Sequence, residues 1–129
     1  MRDAGQLAIF ARLRPQLPPV LRDRSEVPLP IPGDRRAWDH VIDGPGWTLP
    51  VEAESRLRDV QALNRRVALK VRDGGFDRVI LLVADTRHNR RVLRLFPAEF
   101  ASAYPLPGRL AIAALRDGRR PEASAVILI

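Results

Sequence analysis

The chain has 129 residues, of which 46% are hydrophobic and 29% are charged, as is typical of a single globular domain that buries a sizeable core. It contains no cysteine, which excludes disulfides, thiolate metal sites and cysteine nucleophiles, and it lacks both the apolar run of a membrane helix and the pattern of a secretory signal. Its 22 basic residues, 21 of them arginine, outnumber 15 acidic residues to give a net charge of +7, which is compatible with a polyanionic partner.

The first half of the chain predicts a helix, an extended segment and a β-hairpin. Apolar residues within 6–14 recur at helical spacing, and Pro15 ends that helix. The prolines that follow, up to Pro32, exclude a helix interior and favour an extended segment or an edge strand. Residues 37–42 and 47–54 then flank the turn-rich sequence Asp43-Gly-Pro-Gly46, which predicts a hairpin with a four-residue loop.

The second half predicts alternating helices and strands. Residues 56–72 show helical periodicity, and the nearly unbroken apolar run 78–84 is typical of a strand buried on both faces. A capped helix is predicted over 87–96, whereas 109–115 fits either a helix or a strand, and 125–129 fits a short terminal strand. We therefore expect an α/β or α+β fold, with a mixed sheet and helices on its faces, forming one domain over residues 1–129.

Three acidic residues of the hairpin are candidate metal ligands. Strand alternation places Glu52 and Glu54 on one face. A four-residue loop sets Asp39 opposite Pro50, on that same face and roughly 7 Å from Glu52, a span that Mg²⁺ can bridge. A register shift of one residue would instead move Asp39 to the other face, and an ordinary solvent-facing hairpin is the alternative interpretation.

A helix, a hairpin carrying Asp39 and Glu52-Ala-Glu54, a helix carrying Gln61 and a buried strand over 79–83 together resemble the PD-(D/E)XK, or restriction-endonuclease-like, nuclease fold. The resemblance spans roughly residues 33–85. It implies that Asp39 and Glu52 bind Mg²⁺ and that Gln61 belongs to the catalytic set. In that family a lysine orients the attacking water, and here Glu54 stands in its place.

The departure at position 54 leaves several candidates for the missing basic group. Lys70, the only lysine, lies about 13 residues into the predicted helix and points away from Gln61, so it is predicted to be a poor substitute. Arg58, Gln61 or Arg65 can position water or stabilise negative charge, although arginine cannot act as the base. Glu54 is left either as a third metal ligand or as the base.

A second group of arginines is predicted to contact nucleic acid. Arg87, Arg90 and Arg91 lie at the start of a predicted helix, where free backbone N–H groups attract phosphate. With Arg58 and Arg65 they form the predicted nucleic-acid-binding set, with DNA expected in preference to RNA. The alternative is a capped and solvated helix start.

A narrower resemblance rests on the segments 30–39, 51–63 and 81–90. These segments resemble the carboxy-terminal domain of uncharacterised actinobacterial proteins that are labelled as helix-turn-helix regulators. The combined expectation is a cytoplasmic, nucleic-acid-associated domain that hydrolyses phosphodiesters with Mg²⁺ if its site is active. The alternative is a catalytically silent regulatory or protein-interaction module of the same fold. A homodimer or a regulatory protein partner is a further expectation, and no membrane association is expected.

Overall fold

A computed structural model describes residues 4–129 and confirms the predicted mixed sheet with helices on its faces. The predicted domain also includes residues 1–3, which lie outside the described residues. Within the described residues the strands are β1 (Arg22–Pro28), β2 (Ala37–Gly44), β3 (Trp47–Glu54), β4 (Ile80–Val83) and β5 (Ala125–Leu128). They form one sheet in the order β1-β2-β3-β4-β5, in which β2 is antiparallel to both β1 and β3, whereas β4 is parallel to both β3 and β5. The chain is thus an α+β protein.

Helices cover both faces of this sheet. Two of them pack on one face and three on the other, and the segment 109–115, left open by its sequence, lies in a helix. The first face carries α1 (Ala4–Leu13) and α5 (Gly108–Arg116); the second carries α2 (Val60–Asp73), α3 (Arg87–Leu95) and α4 (Pro97–Ala103). No helix within residues 4–129 is long and apolar enough to cross a membrane.

Each face of the sheet has its own apolar core, because strand side chains alternate between the two helical layers. Apolar side chains of this kind stabilise the fold by about 1.5–3 kcal/mol each when fully buried. On the α1 and α5 side the core includes Phe10, Leu13, Ile42, Val51 and Leu115. On the α2 side it includes Val41, Leu63, Val67, Leu81 and Phe100.

The hairpin turn is tighter than the sequence predicts. Gly44 pairs with Trp47, so Pro45 and Gly46 alone form the turn, and the predicted four-residue loop is wrong. Proline suits the first central position of such a turn, and Gly46 has a φ of +74°, as the second position of a type II turn requires. The register therefore differs from the predicted one by two residues. A shift of two preserves which residues face the same way.

Strand β1 lies at one edge of the sheet and confirms the extended segment predicted from the prolines. Its side chains are mostly exposed and charged, and it ends at Pro28. Charged residues and proline are features that discourage an edge strand from pairing with another chain.

Candidate active site

The three acidic residues of the hairpin line one cavity. Asp39, Glu52 and Glu54 lie on its wall together with Lys70 and Arg66, and its volume is about 610 Å³. The ladder between β2 and β3 ends at His40 opposite Val51, and hydrogen bonds then join Asp39 to Glu52 and Ala53. The acids are therefore adjacent, where the predicted register made them diagonal neighbours.

Crossed hydrogen bonds join Asp39 to β3. The backbone N–H of Asp39 donates to Oε2 of Glu52 at 3.0 Å, and the backbone N–H of Ala53 donates to Oδ2 of Asp39 at 2.9 Å. Each carboxylate thus satisfies a backbone donor of the opposite strand. These bonds hold both side chains against the ends of the two strands.

The backbone is distorted beside these carboxylates. His40 stacks on Phe10 of α1 with ring centroids 3.7 Å apart, whereas Trp38, two residues earlier, packs edge-on against Phe76 on the α2 side. The alternation of β2 is therefore broken at Asp39. Opposite this break, Glu26 of β1 has a φ of +50°, which glutamate rarely adopts, and it lines the same cavity. No sequence signal identifies Glu26 as a cavity residue.

Lys70 reaches the pair Asp39 and Glu52, a contact that its distance from the start of α2 does not suggest. Its predicted weakness as a substitute for the motif lysine stays a prediction. Only 8% of the residue is exposed, and its ammonium group donates to Oε1 of Glu52 and to the carbonyl of Ala37, the latter at 2.6 Å. The same ammonium lies 5.0 Å from the ring of Trp38, within the range of a cation–π interaction. Lys70 is thus the basic group closest to Glu52 in the described cavity.

The direction of α2 explains this contact. Because α2 connects two parallel strands, it runs back along the sheet, antiparallel to β3. Four residues of helix rise about 6 Å, and two residues of strand rise about 6.6 Å. Two residues that are four positions apart on α2 can therefore lie beside two residues that are two positions apart on β3. Arg66 accordingly pairs with Glu54 at 2.7 Å and Lys70 with Glu52. The distance of Lys70 from the start of the helix does not reveal this contact, which depends on the direction of α2.

Burial and charge act in opposite directions on Glu52. Burial, and then the neighbouring Asp39 carboxylate, raise its pKa, whereas the Lys70 ammonium lowers it; the pKa is raised overall, to about 7. A cation placed beside Asp39 and Glu52 would favour the charged form. The pair is therefore a place where added positive charge is stabilised.

The donor set fits a cation held by two carboxylates. In the part of the chain that the structure describes, no group of three or more Asp, Glu or His side chains is arranged to hold a metal ion. Mg²⁺ is usually held by one or two carboxylates together with water and substrate phosphate. Asp39 and Glu52 are the two carboxylates joined by the crossed hydrogen bonds and are the pair that could hold such a cation; Glu52 is engaged by Lys70, as Glu54 is by Arg66.

The other predicted site residues lie in different places. Gln61 and Arg65 are exposed on α2, outside the walls of the acidic cavity, so the structure does not bring Gln61 to Asp39. Arg58 lines a neighbouring cavity of about 330 Å³. Arg56 and Arg58 belong to a loop, because Asp59 caps α2 by accepting from Ala62 and the helix begins only at residue 60.

The predicted arginines of α3 lie around its first turns. Arg87 and Arg90 line a separate cavity there, and Arg91 is exposed. Arg90 is held by the carboxylate of Asp85 through two hydrogen bonds. Their contact with nucleic acid stays a prediction.

Asn89 organises the loop that leaves the acidic cavity, a role that the sequence does not reveal. Its side chain is fully buried and accepts from the backbone N–H of Leu57 at 2.8 Å. It also donates to the carbonyls of Ser55 and Ala84, at 3.0 and 2.9 Å. Asparagine at this position therefore ties the β3–α2 loop to the end of β4.

Comparison with protein-family models, with curated proteins and with solved structures finds no match for this chain.

Proposed function

We propose that this chain is a nucleic-acid-associated domain of the restriction-endonuclease-like type that hydrolyses phosphodiester bonds with a divalent cation, Mg²⁺ being the expected one. The proposal rests on the resemblance in residues 33–85 and on the acidic pair Asp39 and Glu52, which lies on adjacent strands of the hairpin. The helix, hairpin, helix and buried strand of that resemblance are all present.

The observation that carries the proposal is the position of Lys70. The motif lysine that is missing at position 54 has a counterpart on α2, whose ammonium contacts Glu52 inside the acidic cavity. Carboxylates beside a buried lysine supply the charges that phosphodiester hydrolysis uses: anionic ligands for the cation and a donor for water or for a phosphate oxygen.

Each residue has a separate role in this scheme. Asp39 and Glu52 would hold the cation, which would supply polarisation of the phosphate and activation of water. Lys70 fixes the orientation of Glu52 and donates to the attacking water or to the phosphate. Arg66 holds Glu54 at the cavity wall, where its carboxylate is placed to accept a proton.

A second candidate function is a catalytically silent module of the same fold. The observation that favours it is the engagement of both glutamates by cations of α2: Lys70 binds Glu52 and Arg66 binds Glu54. Such a module keeps the cavity but uses its charges for stability, and it then serves regulation or protein association.

Incubation with single- and double-stranded DNA and RNA, in Mg²⁺ or Mn²⁺, separates the two candidates. We expect cleavage by the unaltered chain, and loss of cleavage in Asp39→Asn, Glu52→Gln and Lys70→Met. Glu99→Gln, the same change on the exposed surface of α4, is the control and keeps full activity. Circular dichroism of each variant shows whether it is folded.

Absence of cleavage by the folded, unaltered chain in both cations contradicts hydrolysis and favours the silent module. Cleavage that survives in both Asp39→Asn and Glu52→Gln indicates a contaminating nuclease.

A further inference from the structure

The acidic cavity adjoins a second cavity. The 610 Å³ cavity and the neighbouring 330 Å³ cavity share Gln6, Glu54 and Arg66 in their walls. The ion pair of Glu54 and Arg66 thus belongs to both walls, and the two adjoining cavities are together called the active-site groove.

Three exposed arginines stand along this groove. Arg35 lines the acidic cavity, and Arg56 and Arg58 line its neighbour. None of the three forms an ion pair with any residue from 4 to 129. Nine other described arginines are engaged by carboxylates, as Arg24 is by Asp43. The guanidinium groups of Arg35, Arg56 and Arg58 are therefore available to an external anion.

Strand direction brings these arginines to one edge of the sheet. Arg35 precedes the start of β2, and Arg56 and Arg58 follow the end of β3. Because β2 and β3 are antiparallel, the start of one lies beside the end of the other. Arg35 lines the cavity of the acidic pair, and the other two extend from it along the neighbouring cavity.

The charge of the groove depends on a cation. Among residues 4–129, its basic side chains are Arg35, Arg56, Arg58, Arg66 and Lys70. Five acidic side chains of the same part of the chain balance them: Glu26, Asp39, Glu52, Glu54 and Asp59. A divalent cation at Asp39 and Glu52 leaves a net positive groove, so cation and polyanion should bind cooperatively.

The groove offers phosphate contacts without a platform for base stacking. Trp38 is the aromatic side chain among its described lining residues, and only 1% of it is exposed. Arginine contacts to phosphate position a nucleic acid but carry no sequence information.

We propose that the active-site groove binds the phosphodiester backbone of nucleic acid of any sequence through Arg35, Arg56 and Arg58, and that a divalent cation strengthens this binding. The cation dependence rests on the proposed function, since it places the cation at the acidic pair. The arginine contacts rest on the groove alone.

Fluorescence anisotropy tests the proposal with labelled duplex DNA, single-stranded DNA and RNA, each in two unrelated sequences, and with labelled polyglutamate. The unaltered chain is titrated in Ca²⁺ and in EDTA, over a range of salt concentrations. The test variant is Arg35→Ser/Arg56→Ser/Arg58→Ser. The control variant removes the same charge from α5 and its carboxyl end, as Arg109→Ser/Arg116→Ser/Arg119→Ser, on the other face of the sheet.

We expect at least one nucleic acid to bind, equally in both sequences and more tightly in Ca²⁺ than in EDTA. In the test variant its affinity falls at least about tenfold and its salt dependence weakens by about 0.9 in slope per arginine removed. The control variant changes the affinity by a smaller factor, as net charge alone requires.

Equal losses in the test and control variants, or equally tight binding of polyglutamate, overturn the proposal. Binding that is equal in Ca²⁺ and EDTA overturns its cation dependence. Binding that meets these expectations without cleavage in Mg²⁺ or Mn²⁺ supports the groove while contradicting the proposed hydrolysis, so the two failures are distinguishable.

Discussion

Lys70 and Glu52 form a buried ion pair that joins the second half of α2 to the hairpin. Their side chains are only 9% and 7% exposed, and the ammonium also donates to the carbonyl of Ala37. A charge buried in this way is stabilised by its partner, and removal of one partner leaves the other uncompensated. The candidate active site is therefore also a structural contact.

A double-mutant cycle measures this coupling. We expect Lys70→Met and Glu52→Gln each to lower the free energy of unfolding by about 3–5 kcal/mol, because each leaves a buried polar or charged group without its partner. The double variant should lose much less than the sum of the two. Urea denaturation of the four proteins gives the coupling energy.

The pair one turn earlier on α2 provides the matched control. Arg66 is 57% exposed and contacts Glu54, so the cycle of Arg66→Met and Glu54→Gln should show a coupling below about 1 kcal/mol. Similar coupling energies in both cycles would show that burial of Lys70 has no special effect.

Replacement of Asn89 should weaken the fold through the β3–α2 loop. Asn89→Ala leaves the N–H of Leu57 and the carbonyls of Ser55 and Ala84 without this partner. We expect a loss of about 2–4 kcal/mol in the free energy of unfolding. The exposed Gln61→Ala on α2 should change it by less than about 0.5 kcal/mol. A similarly small change for Asn89→Ala contradicts its structural role.

Glycine at position 26 should relieve the strain of its backbone. The φ of +50° at Glu26 is unfavourable for a residue with a Cβ by about 1–2 kcal/mol, whereas glycine adopts it freely. Glu26→Gly and Glu26→Ala both remove the side chain and its contacts, so after the entropy cost of glycine we expect Glu26→Gly to be the more stable of the two by about 0.5–1 kcal/mol. At Ser25, one residue earlier in the same strand, glycine should instead be less stable than alanine by a similar amount. Thermal unfolding of the four variants shows whether the difference between glycine and alanine changes sign between the two positions.

The hairpin turn depends on Gly46 for its backbone conformation alone. A Cβ on Gly46 meets no atom within 4 Å, but its φ of +74° strains any other residue. Gly46→Ala should therefore cost about 1–2 kcal/mol. Gly46→Asn should cost less, since asparagine tolerates this region. Equal losses in the two variants, measured by urea denaturation, would indicate a cause other than backbone strain.

The sequence predicts that Asp39 and Glu52 lie on the same face of the hairpin. It predicts neither the length of the hairpin turn nor the contact of Glu52 with Lys70. The predicted loop was two residues too long, and a two-residue error leaves Asp39 on the same face as Glu52. Local periodicity was sufficient for this prediction because the alternation from Asp39 to Ile42 is regular, and the break in β2 falls between Asp39 and Trp38. The contact with Lys70 depends instead on how α2 returns along β3, which local spacing does not contain.

Other features of the site depend equally on tertiary structure. Glu26 enters the cavity through a backbone conformation that glutamate seldom adopts, and Asn89 binds a loop more than thirty residues away in the chain. Gln61 was assigned from a resemblance and lies on the exposed side of α2. Such residues are identified only when the elements are packed together.

The hydrogen bonds of Asn89 give the loop that carries Arg56 and Arg58 the rigidity of the central sheet. A ligand that meets this loop does not have to order its backbone, so less conformational entropy is lost on association. If the proposed groove binds nucleic acid, its affinity thus depends partly on α3, which supplies the asparagine. Substitutions in that helix would then lower the affinity without contacting the ligand.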